Sequence, residues 1–452
     1  MLQKLPSPAT ESRDWRHSNL PNILLISPAF VPSHDSEAFC SAKLVAALAG
    51  VGAGITVFTY HEFAPQSVDG SASWQVLRKY VADFPVPTHR NRIQSLSSAV
   101  RYQTQQYARW TGAAVEEAKR IHSRRPFDLV YSRSLPMFSH IAGYWCAKNL
   151  RLPWIAGIND PWDWHLFPVK VANRVPIPSA LSTFWMKRTF RRADLLIYPN
   201  ARLHAYHEKI SGIRHDSLIV PHVGTARNQA TPAEAPAKTF TLVHAGKLGS
   251  SEATGRSAVP LLHGLRLFLG DFPEAAKLTK LMLVGPSDAK TESIVSDLRL
   301  QTIVSATGRV TYEESQTIIQ AAAVCVLIEA DMKEGIFLPS KLVDYLSAGK
   351  PVLALSPRVG VINDMAEQFG ILRVDTGDVE GVRKAIGNLY LNFRNHTLAS
   401  VAPSPKQISQ FEPKNIASVF LTATHNLAKP EKIHSRTILA ARGPEISDVR
   451  VE

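Results

Sequence analysis

The amino-acid sequence predicts an α/β protein built from two doubly wound, Rossmann-like domains that face a cleft. Short apolar, β-rich runs alternate with helix-length segments, a pattern typical of parallel sheets covered by helices on both faces. The same rhythm occurs before and after residues 226–239, an Ala/Pro-rich segment without periodicity. A chain of 452 residues is also too long for a single hydrophobic core.

The first half contains six runs that we predict to be strands. They occupy residues 22–27, 55–60, 127–132, 153–158, 194–199 and 217–221. The segments between them, including the long polar stretch 93–123, have the length of helices. We therefore predict an N-terminal extension at residues 1–21 and an N-terminal domain at residues 22–225.

The second half repeats the pattern after the predicted linker at residues 226–239. Its strands are predicted at residues 240–246, 280–285, 323–330, 351–356 and 370–375. The C-terminal domain then covers residues 240–408, followed by a closing helix at 409–428 and a flexible tail at 429–452. Ligands of open α/β sheets bind beyond the carboxyl ends of the strands, so the interdomain cleft is the expected site.

Charge and cysteine content limit the classes of partner and compartment. The net charge of +13 favours nucleotide phosphates, anionic lipids or nucleic acid. Three cysteines lie far apart without a CxxC pair, which indicates a reducing compartment and argues against structural zinc. No apolar run approaches the ~20 residues of a spanning helix, and the first residues lack a signal-type apolar core. We expect a soluble, cytoplasmic protein.

Residues 334–355, EGIFLPSKLVDYLSAGKPVLAL, combine a loop, a short helix and a strand. Pro339 suits the first helical turn, where its missing N–H is not needed, and Ser340 or Leu338 would then be the cap. Gly349 ends the predicted helix at a position where a positive φ costs little, and a proline follows.

The start of this helix is a candidate anion site. The free N–H groups at the Pro339–Lys341 end would face an anion, and Lys341 adds positive charge. Asp344, one turn further on, carries a carboxylate that can accept hydrogen bonds from the vicinal hydroxyls of a sugar. The open alternative is that Asp344 is a solvated acid and Lys341 a surface cation.

This stretch resembles the donor-binding motif of glycosyltransferase family 4, retaining enzymes of the GT-B fold, in the subgroup with P-S-K-L-x-E-Y-L-A-x-G-K-P-V. The resemblance runs from about residue 22 to 425 and implies that Asp344 binds the nucleotide ribose. The family has a second acid eight residues earlier, which contacts the donor sugar. That position is Ile336 here, with Glu334 two residues away.

A second match follows the strand at 240–246, where Gly246 and Lys247 precede a leucine as in the family's Gly-Arg-Leu. The resemblance implies that Lys247 meets the donor diphosphate and that Arg256 supplies a second cation. With the Ser340–Lys341 helix end, they would stabilise the leaving diphosphate without metal. The alternative for Lys247 is a surface residue on a tight βα turn.

The segment that begins with Gly308, Arg309 and Val310 resembles the family's glycine-containing loop, which contacts the nucleotide base. We expect Val310 to pack and Arg309 to be solvated, so that the backbone near this loop touches the base.

In the first half, SPAFVPSHDSEAF resembles the family's first strand, loop and helix. Relatives carry paired glycines in this loop, whereas Ser33, His34 and Asp35 stand here. This departure favours a polar, acceptor-side loop. A solvated turn is the alternative for His34 and Asp35.

PWIAGINDPWDWH matches the family's P-x-x-x-x-x-x-D-P-W segment, which implies a place over the donor sugar for Asn159 and Asp160. Asp160, at the carboxyl end of a strand, is a candidate catalytic residue; alternatively it caps the turn that follows. Arg133, after the strand at 127–132, is expected to bind a phosphate or to pair with a neighbouring acid.

The resemblance implies a retaining transferase that moves a sugar from a nucleotide-diphosphate donor, by default a UDP-sugar, to a glycan or lipid-linked acceptor in cell-surface polysaccharide biosynthesis. No DxD triplet occurs, so a metal-dependent GT-A route has no support and no metal or other cofactor is expected. A non-catalytic nucleotide- or glycan-binding scaffold and a nucleotide-sugar 2-epimerase remain alternatives.

The basic segment 89–126 interleaves aromatic residues at helical spacing. Nucleic-acid binding would rest on charge alone and is not predicted. Relatives often meet membranes through basic, amphipathic helices near the acceptor site, which suggests peripheral contact with an anionic inner membrane. A solvated helix face is the alternative.

Overall fold

The computed structural model describes residues 20–31, 33, 36–60, 74–79, 92–162, 176–225, 238–249, 255–428 and 439–440. They form two compact units. Of the described residues, those up to Pro221 and those from Pro413 onward belong to the first unit, and His222–Glu412 belong to the second. The chain thus leaves the first unit at Pro221 and returns to it at Pro413. Most of the predicted linker, of the N-terminal extension and of the tail lies outside the described residues.

The first unit is built on an eight-stranded parallel sheet. Its strands are β1 (Asn22–Ile26), β2 (Gly54–Tyr60), β3 (Trp74–Lys79), β4 (Leu129–Arg133), β5 (Trp154–Gly157), β6 (Leu195–Tyr198), β7 (Ser217–Ile219) and β14 (Leu439–Ala440), the last strand of the chain. Their order is β14-β7-β6-β5-β4-β1-β2-β3. Every residue of β1 and β4 is buried, because both faces of the sheet are covered, and this explains the continuous apolar runs.

Among the described residues, six helices belong to this unit. They are α1 (Ser36–Gly50), α2 (Arg92–His122), α3 (Ser139–Leu150), α4 (Pro176–Arg192), α5 (Ala201–Ser211) and α13 (Pro413–Ala428). Helix α13 packs against α1, and the ring of Phe420 lies 5.1 Å from that of Tyr131 on β4. The predicted closing helix therefore begins at Pro413 and completes the first unit; residues 409–411 form a 3₁₀ turn instead.

The second unit has a six-stranded parallel sheet in the order β10-β9-β8-β11-β12-β13. Its strands are β8 (Phe240–Ala245), β9 (Thr279–Val284), β10 (Val304–Gly308), β11 (Val324–Ile328), β12 (Val352–Leu355) and β13 (Leu372–Val374). Its helices are α6 (Val259–Asp271), α7 (Ala289–Asp297), α8 (Tyr312–Ala321), α9 (Ser340–Ser347), α10 (Val361–Phe369), α11 (Val379–Arg394) and α12 (Pro405–Ile408).

Alternate residues of β11 enter two different apolar cores of the second unit. Val324, Val326 and Ile328 join the core that includes α6 and α11. Cys325 and Leu327 join the core that includes α9 and α10. Successive side chains of a strand point to opposite faces, so helices cover both faces of this sheet.

The predicted fold class is confirmed, and each predicted run contains an observed strand. Three strands were not predicted: β3, β10 and β14. Strand β10 lacks an apolar run because, of its residues, only Val304 is buried, and β3 and β14 lie at the edges of their sheet. All three cysteines are buried, and no disulfide joins them. In the part of the chain that the structure describes, no helix has both the length and the apolarity to cross a membrane.

Candidate functional site

The carboxyl edge of the second sheet brings together two of the sequence motifs. After β8 the chain turns at Gly246, whose φ is 124° and whose N–H donates to the Val284 carbonyl at 2.7 Å. A Cβ built on Gly246 would lie 2.7 Å from Lys341 Nζ. The backbone conformation at Gly246 therefore favours glycine, and the end of the Lys341 side chain would have to shift to admit a Cβ.

Helix α9 begins one residue later than the sequence suggests. Pro339 is the N-cap residue, with φ −64° and ψ 125°, and Ser340 is the first helical residue. The prediction that Pro339 lies in the first turn, with Ser340 or Leu338 as the cap, is wrong. The proline ring cannot accept a hydrogen bond, and no described side chain caps this end, so the start of α9 offers N–H groups to an anion. Gly349 follows the helix with φ 66°, as predicted.

Two hydrogen bonds fix α9 on the sheet. The Ala245 N–H donates to the Tyr345 hydroxyl at 2.8 Å, which ties the helix to the end of β8. His222 Nε2 lies 3.1 Å from the Leu338 carbonyl and holds the loop that enters the helix. The N-terminal end of α9 is thus a rigid part of the sheet edge.

Asp344 is a buried and positioned carboxylate, with 6% of its surface exposed. Its Oδ1 accepts a hydrogen bond from the Thr225 hydroxyl at 2.9 Å. The same hydroxyl lies 2.9 Å from the Tyr312 hydroxyl, so Tyr312 can donate to Thr225 while Thr225 donates to Asp344. The alternative that Asp344 is a solvated acid is wrong.

Lys341 and Glu329 are oppositely charged side chains with buried terminal atoms. Lys341 Nζ and Glu329 Oε2 each lack a hydrogen-bond partner in the described structure. Burial, followed by the charge of Arg256, lowers the pKa of Lys341 to about 7. Burial raises the pKa of Glu329 to about 7, against the opposing effects of Arg256 and Lys341. The alternative that Lys341 is a surface cation is also wrong.

Arg256 pairs with the segment that follows β8. The Gly249 N–H donates to the Arg256 carbonyl at 3.1 Å in an isolated antiparallel bridge. A Cβ on Gly255 would lie 3.3 Å from Ala330 Cβ, beside the end of β11. Arg256 is half-buried, whereas Lys247 is exposed; residues 250–254 lie outside the described part.

His244 is fully buried on β8. Its Nδ1–H donates to the Val326 carbonyl at 3.0 Å, while Nε2 has no partner among the described residues. Burial, together with Lys341 and Arg256, lowers the pKa of His244 well below its usual value, so the ring is neutral. The sequence reasoning missed His244 and Glu329, although a histidine inside an apolar strand and an acid directly after one were visible signals.

The predicted base-contacting loop lies after β10. Gly308 has φ 67° and pairs with Gly285 in an antiparallel bridge. Val310 packs against the core that includes α9, and Arg309 is exposed, as predicted. Thr311 then caps α8 and accepts a hydrogen bond from the Glu314 N–H at 3.2 Å.

A separate polar cluster occupies the carboxyl edge of the first sheet. Asn159 Nδ2 donates to Glu37 Oε2 at 2.6 Å and to the Ser134 carbonyl at 2.8 Å. The Asn159 N–H donates to Ser134 Oγ at 2.9 Å. These bonds join the first turn of α1 to the ends of β4 and β5. Glu37 was missed by the sequence reasoning because nothing in its local pattern marks it.

Arg133 is 7% exposed and donates from Nη1 to the Tyr131 hydroxyl at 3.3 Å. Its Nε has no partner within the described part of the chain. Glu37 is the acid beside it: burial raises the pKa of Glu37, while Arg133 opposes that rise. Ser33 and Asp160 are half-buried, and the predicted residues His34 and Asp35 lie outside the described residues.

Among the residues described, no group of three or more His, Cys, Asp and Glu side chains is arranged to hold a metal ion.

Residues 253–392 match the sequence model of the family described as Glycosyl transferases group 1. The matched segment includes Arg256, Glu329, Lys341 and Asp344. No curated protein matches the sequence.

Solved structures resemble nearly the whole chain. Sucrose-phosphate synthase from Thermosynechococcus elongatus is 16% identical with a TM-score of 0.60, over 90% of this chain and 99% of that one. A glycosyltransferase from Rickettsia africae is 11% identical with a TM-score of 0.60, over 92% and 100%. HepE from Anabaena, in complex with UDP and glucose, is 14% identical with a TM-score of 0.52, over 90% and 98%. These likenesses show that the chain has the GT-B fold.

Proposed function

We propose that this protein is a retaining glycosyltransferase that uses a nucleotide-diphosphate sugar. The observation that carries the proposal is the pair of cations, Lys341 and Arg256, beside the N-terminal end of α9 and Gly246. The family match over residues 253–392 supports it, and the UDP and glucose bound by the structurally similar HepE favour a UDP-sugar.

The donor diphosphate binds at Lys341, Arg256 and the start of α9. A buried ammonium group without a partner destabilises the ligand-free protein, and a phosphate oxygen would satisfy it. The helix N-terminus adds the attraction of its dipole and N–H groups. In the transition state the same groups stabilise the charge that develops on the leaving diphosphate, with Lys247 reaching it from the exposed side of the turn.

The nucleoside extends along the carboxyl edge of the second sheet. Asp344, held by Thr225, accepts hydrogen bonds from the two ribose hydroxyls. The backbone at Gly308, Arg309 and Val310 contacts the base. Pro339 and Ser340 complete the donor site through the backbone at the start of α9.

The acceptor, a glycan or a lipid-linked sugar, binds to the first unit. Arg133 has a buried guanidinium group whose Nε lacks a partner among the described residues, and this group fits a phosphate of the acceptor. Asn159 and Asp160 lie at the end of β5, and we assign Asp160 the role of contacting the reacting hydroxyl. We also assign the loop with Ser33, His34 and Asp35 to the acceptor site.

The chemistry is substitution with retention. The bond between the anomeric carbon and the diphosphate breaks, and the acceptor hydroxyl forms its bond on the same face, giving its proton to the departing diphosphate. Positioning and electrostatic stabilisation supply the catalysis. We place this reaction in cell-surface polysaccharide biosynthesis.

Peripheral contact with an anionic inner membrane is part of the proposal. On α3 and α4 the exposed side chains Trp145, Leu181 and Phe184 are 37%, 44% and 52% accessible. Lys148 Nζ lies 5.0 Å from the ring centre of Trp145, and the Arg188 guanidinium lies 5.9 Å from that of Phe184. Aromatic and basic side chains mixed in this way suit the surface of an anionic bilayer.

Vesicle sedimentation tests the membrane contact. Vesicles that contain anionic lipid should retain the protein and neutral vesicles should not. Phe184→Ser should weaken retention, and Leu267→Ser, which changes a similarly exposed residue on α6, should not. Equal retention by both kinds of vesicle would exclude the membrane contact.

The donor site is tested by the thermal shift of the protein with UDP, GDP, ADP and CMP, with Asp344→Ala alongside. A rise selective for one base and lost in the variant supports the nucleotide site. Release of UDP from a UDP-sugar then separates a transferase from a non-catalytic scaffold. The proximity of His244 and Glu329 to the cations keeps the 2-epimerase as a second candidate, and exchange of the sugar C2 proton with solvent would reveal it.

A further inference from the structure

The carboxyl group of Glu329 lies next to the proposed diphosphate site, but binding of a diphosphate gives this acidic group no role. Glu329 directly follows β11, is 8% exposed and has an Oε2 atom without a hydrogen-bond partner in the described structure. A buried polar atom that makes no hydrogen bond destabilises the folded protein, so its retention calls for an explanation.

The charged neighbours of Glu329 are the two proposed phosphate ligands. Arg256 and Lys341 both act on its carboxyl group electrostatically. Among the described residues, neither lies within the 4.0 Å of an ion pair with Glu329. A bound diphosphate would draw both cations to its own oxygens. Glu329 would then lie beside the phosphate without a cation of its own. Its carboxylate would need a hydrogen bond from an uncharged donor.

The space beside Glu329 is bordered by glycine. A Cβ built on Gly335 would lie 3.6 Å from Glu329 Oε2 and 3.6 Å from Pro357 Cγ, both ordinary contact distances. Gly335 therefore borders the carboxylate, and a methyl group at this position would contact Oε2. An ionised carboxylate only accepts hydrogen bonds, and the hydroxyl of a sugar attached to the diphosphate is a donor at the required place.

The residue at the position of the family's second motif acid, Ile336, cannot take the role of that acid. Ile336 is 1% exposed and is apolar. Glu334 is exposed and lies in the loop before α9. Glu329 comes from a different part of the chain, the end of β11, and is buried at the sheet edge itself.

We propose that Glu329 binds the donor sugar, accepting a hydrogen bond from one of its hydroxyl groups while Arg256 and Lys341 hold the diphosphate. This inference rests on the proposed function and assigns to one residue the recognition of the sugar, as distinct from the nucleotide. It makes Glu329 a specificity-determining residue of the donor site.

The test compares the affinities for UDP and for UDP-sugars by titration calorimetry on the full chain. UDP-glucose, UDP-galactose, UDP-N-acetylglucosamine and UDP-glucuronic acid serve as probes. The wild-type protein should bind one of these more tightly than UDP. Glu329→Gln should lower the affinity for that UDP-sugar by about tenfold, as expected for a charge-assisted hydrogen bond, and leave UDP binding unchanged or stronger, because a negative charge near the phosphates is removed.

Two further variants keep the result interpretable. Gly335→Ala fills the space beside Oε2 at ordinary contact distances, so the protein should fold and show the same selective loss. Glu334→Gln removes an exposed acid from the same loop and should change neither affinity. An unchanged ratio of UDP-sugar to UDP affinity in Glu329→Gln and Gly335→Ala would overturn this inference alone, as would a wild-type protein that binds UDP but prefers no UDP-sugar. Failure of the wild-type protein to bind any nucleotide would overturn the proposed function as well.

Discussion

Lys341 Nζ lies 2.7 Å from the point that a Cβ on Gly246 would occupy. The two residues are almost a hundred positions apart in the chain, and each belongs to a different sequence motif. Their contact joins the turn after β8 to the first turn of α9, so that one cation, one helix end and one glycine turn form a single anion site.

Gly246→Ala should disrupt this site. The new methyl group would meet Lys341 Nζ, and alanine would be held at φ 124°, a conformation that costs of order 1–3 kcal/mol for a residue other than glycine. We expect a loss of that size in the free energy of unfolding, measured with urea, and loss of UDP binding. Gly270→Ala is the matched control, because nothing lies within 4 Å of its Cβ; equal effects of the two changes would contradict the account.

The affinity for the donor should fall as the pH rises. Lys341 has a pKa of about 7 in the ligand-free protein, and a diphosphate beside it would raise that pKa, so binding takes up a proton at higher pH. Above pH 7 the affinity should fall by up to about tenfold per pH unit for each proton taken up.

Calorimetry with UDP-glucose between about pH 6 and about pH 9 measures this dependence, because its diphosphate has no terminal phosphate to titrate near pH 6. Lys341→Arg stays charged throughout and should flatten the profile. A wild-type affinity that is independent of pH would show that the Lys341 ammonium does not meet the phosphate.

Lys341→Met should stabilise the ligand-free protein. The pKa of Lys341 is lower in the folded protein, at about 7, than its ordinary value of 10.5, so below pH 7 the folded state bears the full cost of a buried charge. Between these two pH values the unfolded chain binds the extra proton, and the cost falls as the pH rises.

We expect Lys341→Met to raise the free energy of unfolding by about 1–3 kcal/mol at pH 6.5, and the gain should shrink towards pH 10. Urea unfolding at both pH values measures it. Lys384→Met, at an exposed position on α11, should have no comparable effect. Destabilisation by Lys341→Met at pH 6.5 would mean that the ammonium group is satisfied in the ligand-free protein.

Thr225→Val should weaken recognition of the ribose. It removes the hydroxyl that donates to Asp344 at 2.9 Å and nearly keeps the shape of the side chain. Loss of this hydrogen bond should lower the free energy of unfolding by about 1 kcal/mol. The wild-type protein should bind UDP more tightly than 2′-deoxy-UDP, and the variant should show a smaller difference. Discrimination that survives both Thr225→Val and Asp344→Asn would place the ribose elsewhere.

The strands were predictable from the sequence because both sheets are covered on both faces, which makes each buried strand a continuous apolar run. Strand β10 was not predictable, because Ser305, Ala306 and Thr307 are exposed and give no apolar signal. The cap of α9 was predicted one residue away because the sequence does not reveal that Pro339 keeps an extended ψ.

The site was predictable where neighbouring residues in the chain form a motif, as around Lys341 and Asp344. Glu329, His244 and Glu37 were not found, because their significance depends on burial and on partners from distant segments. The role proposed for the Glu329 carboxyl group depends on its closeness to Lys341 and Arg256. These residues are distant from it in the sequence and come near it only in the folded protein.

Titration of the protein with UDP, beside the Lys341→Met variant, is the decisive experiment for the proposed diphosphate site. We expect the wild-type protein to bind UDP and the variant, although at least as stable, to bind it at least about tenfold more weakly, because a charge-assisted contact to phosphate is lost. Equal binding by the two proteins, or no binding of UDP, GDP or ADP by the wild type, would contradict a nucleotide-diphosphate site at the start of α9.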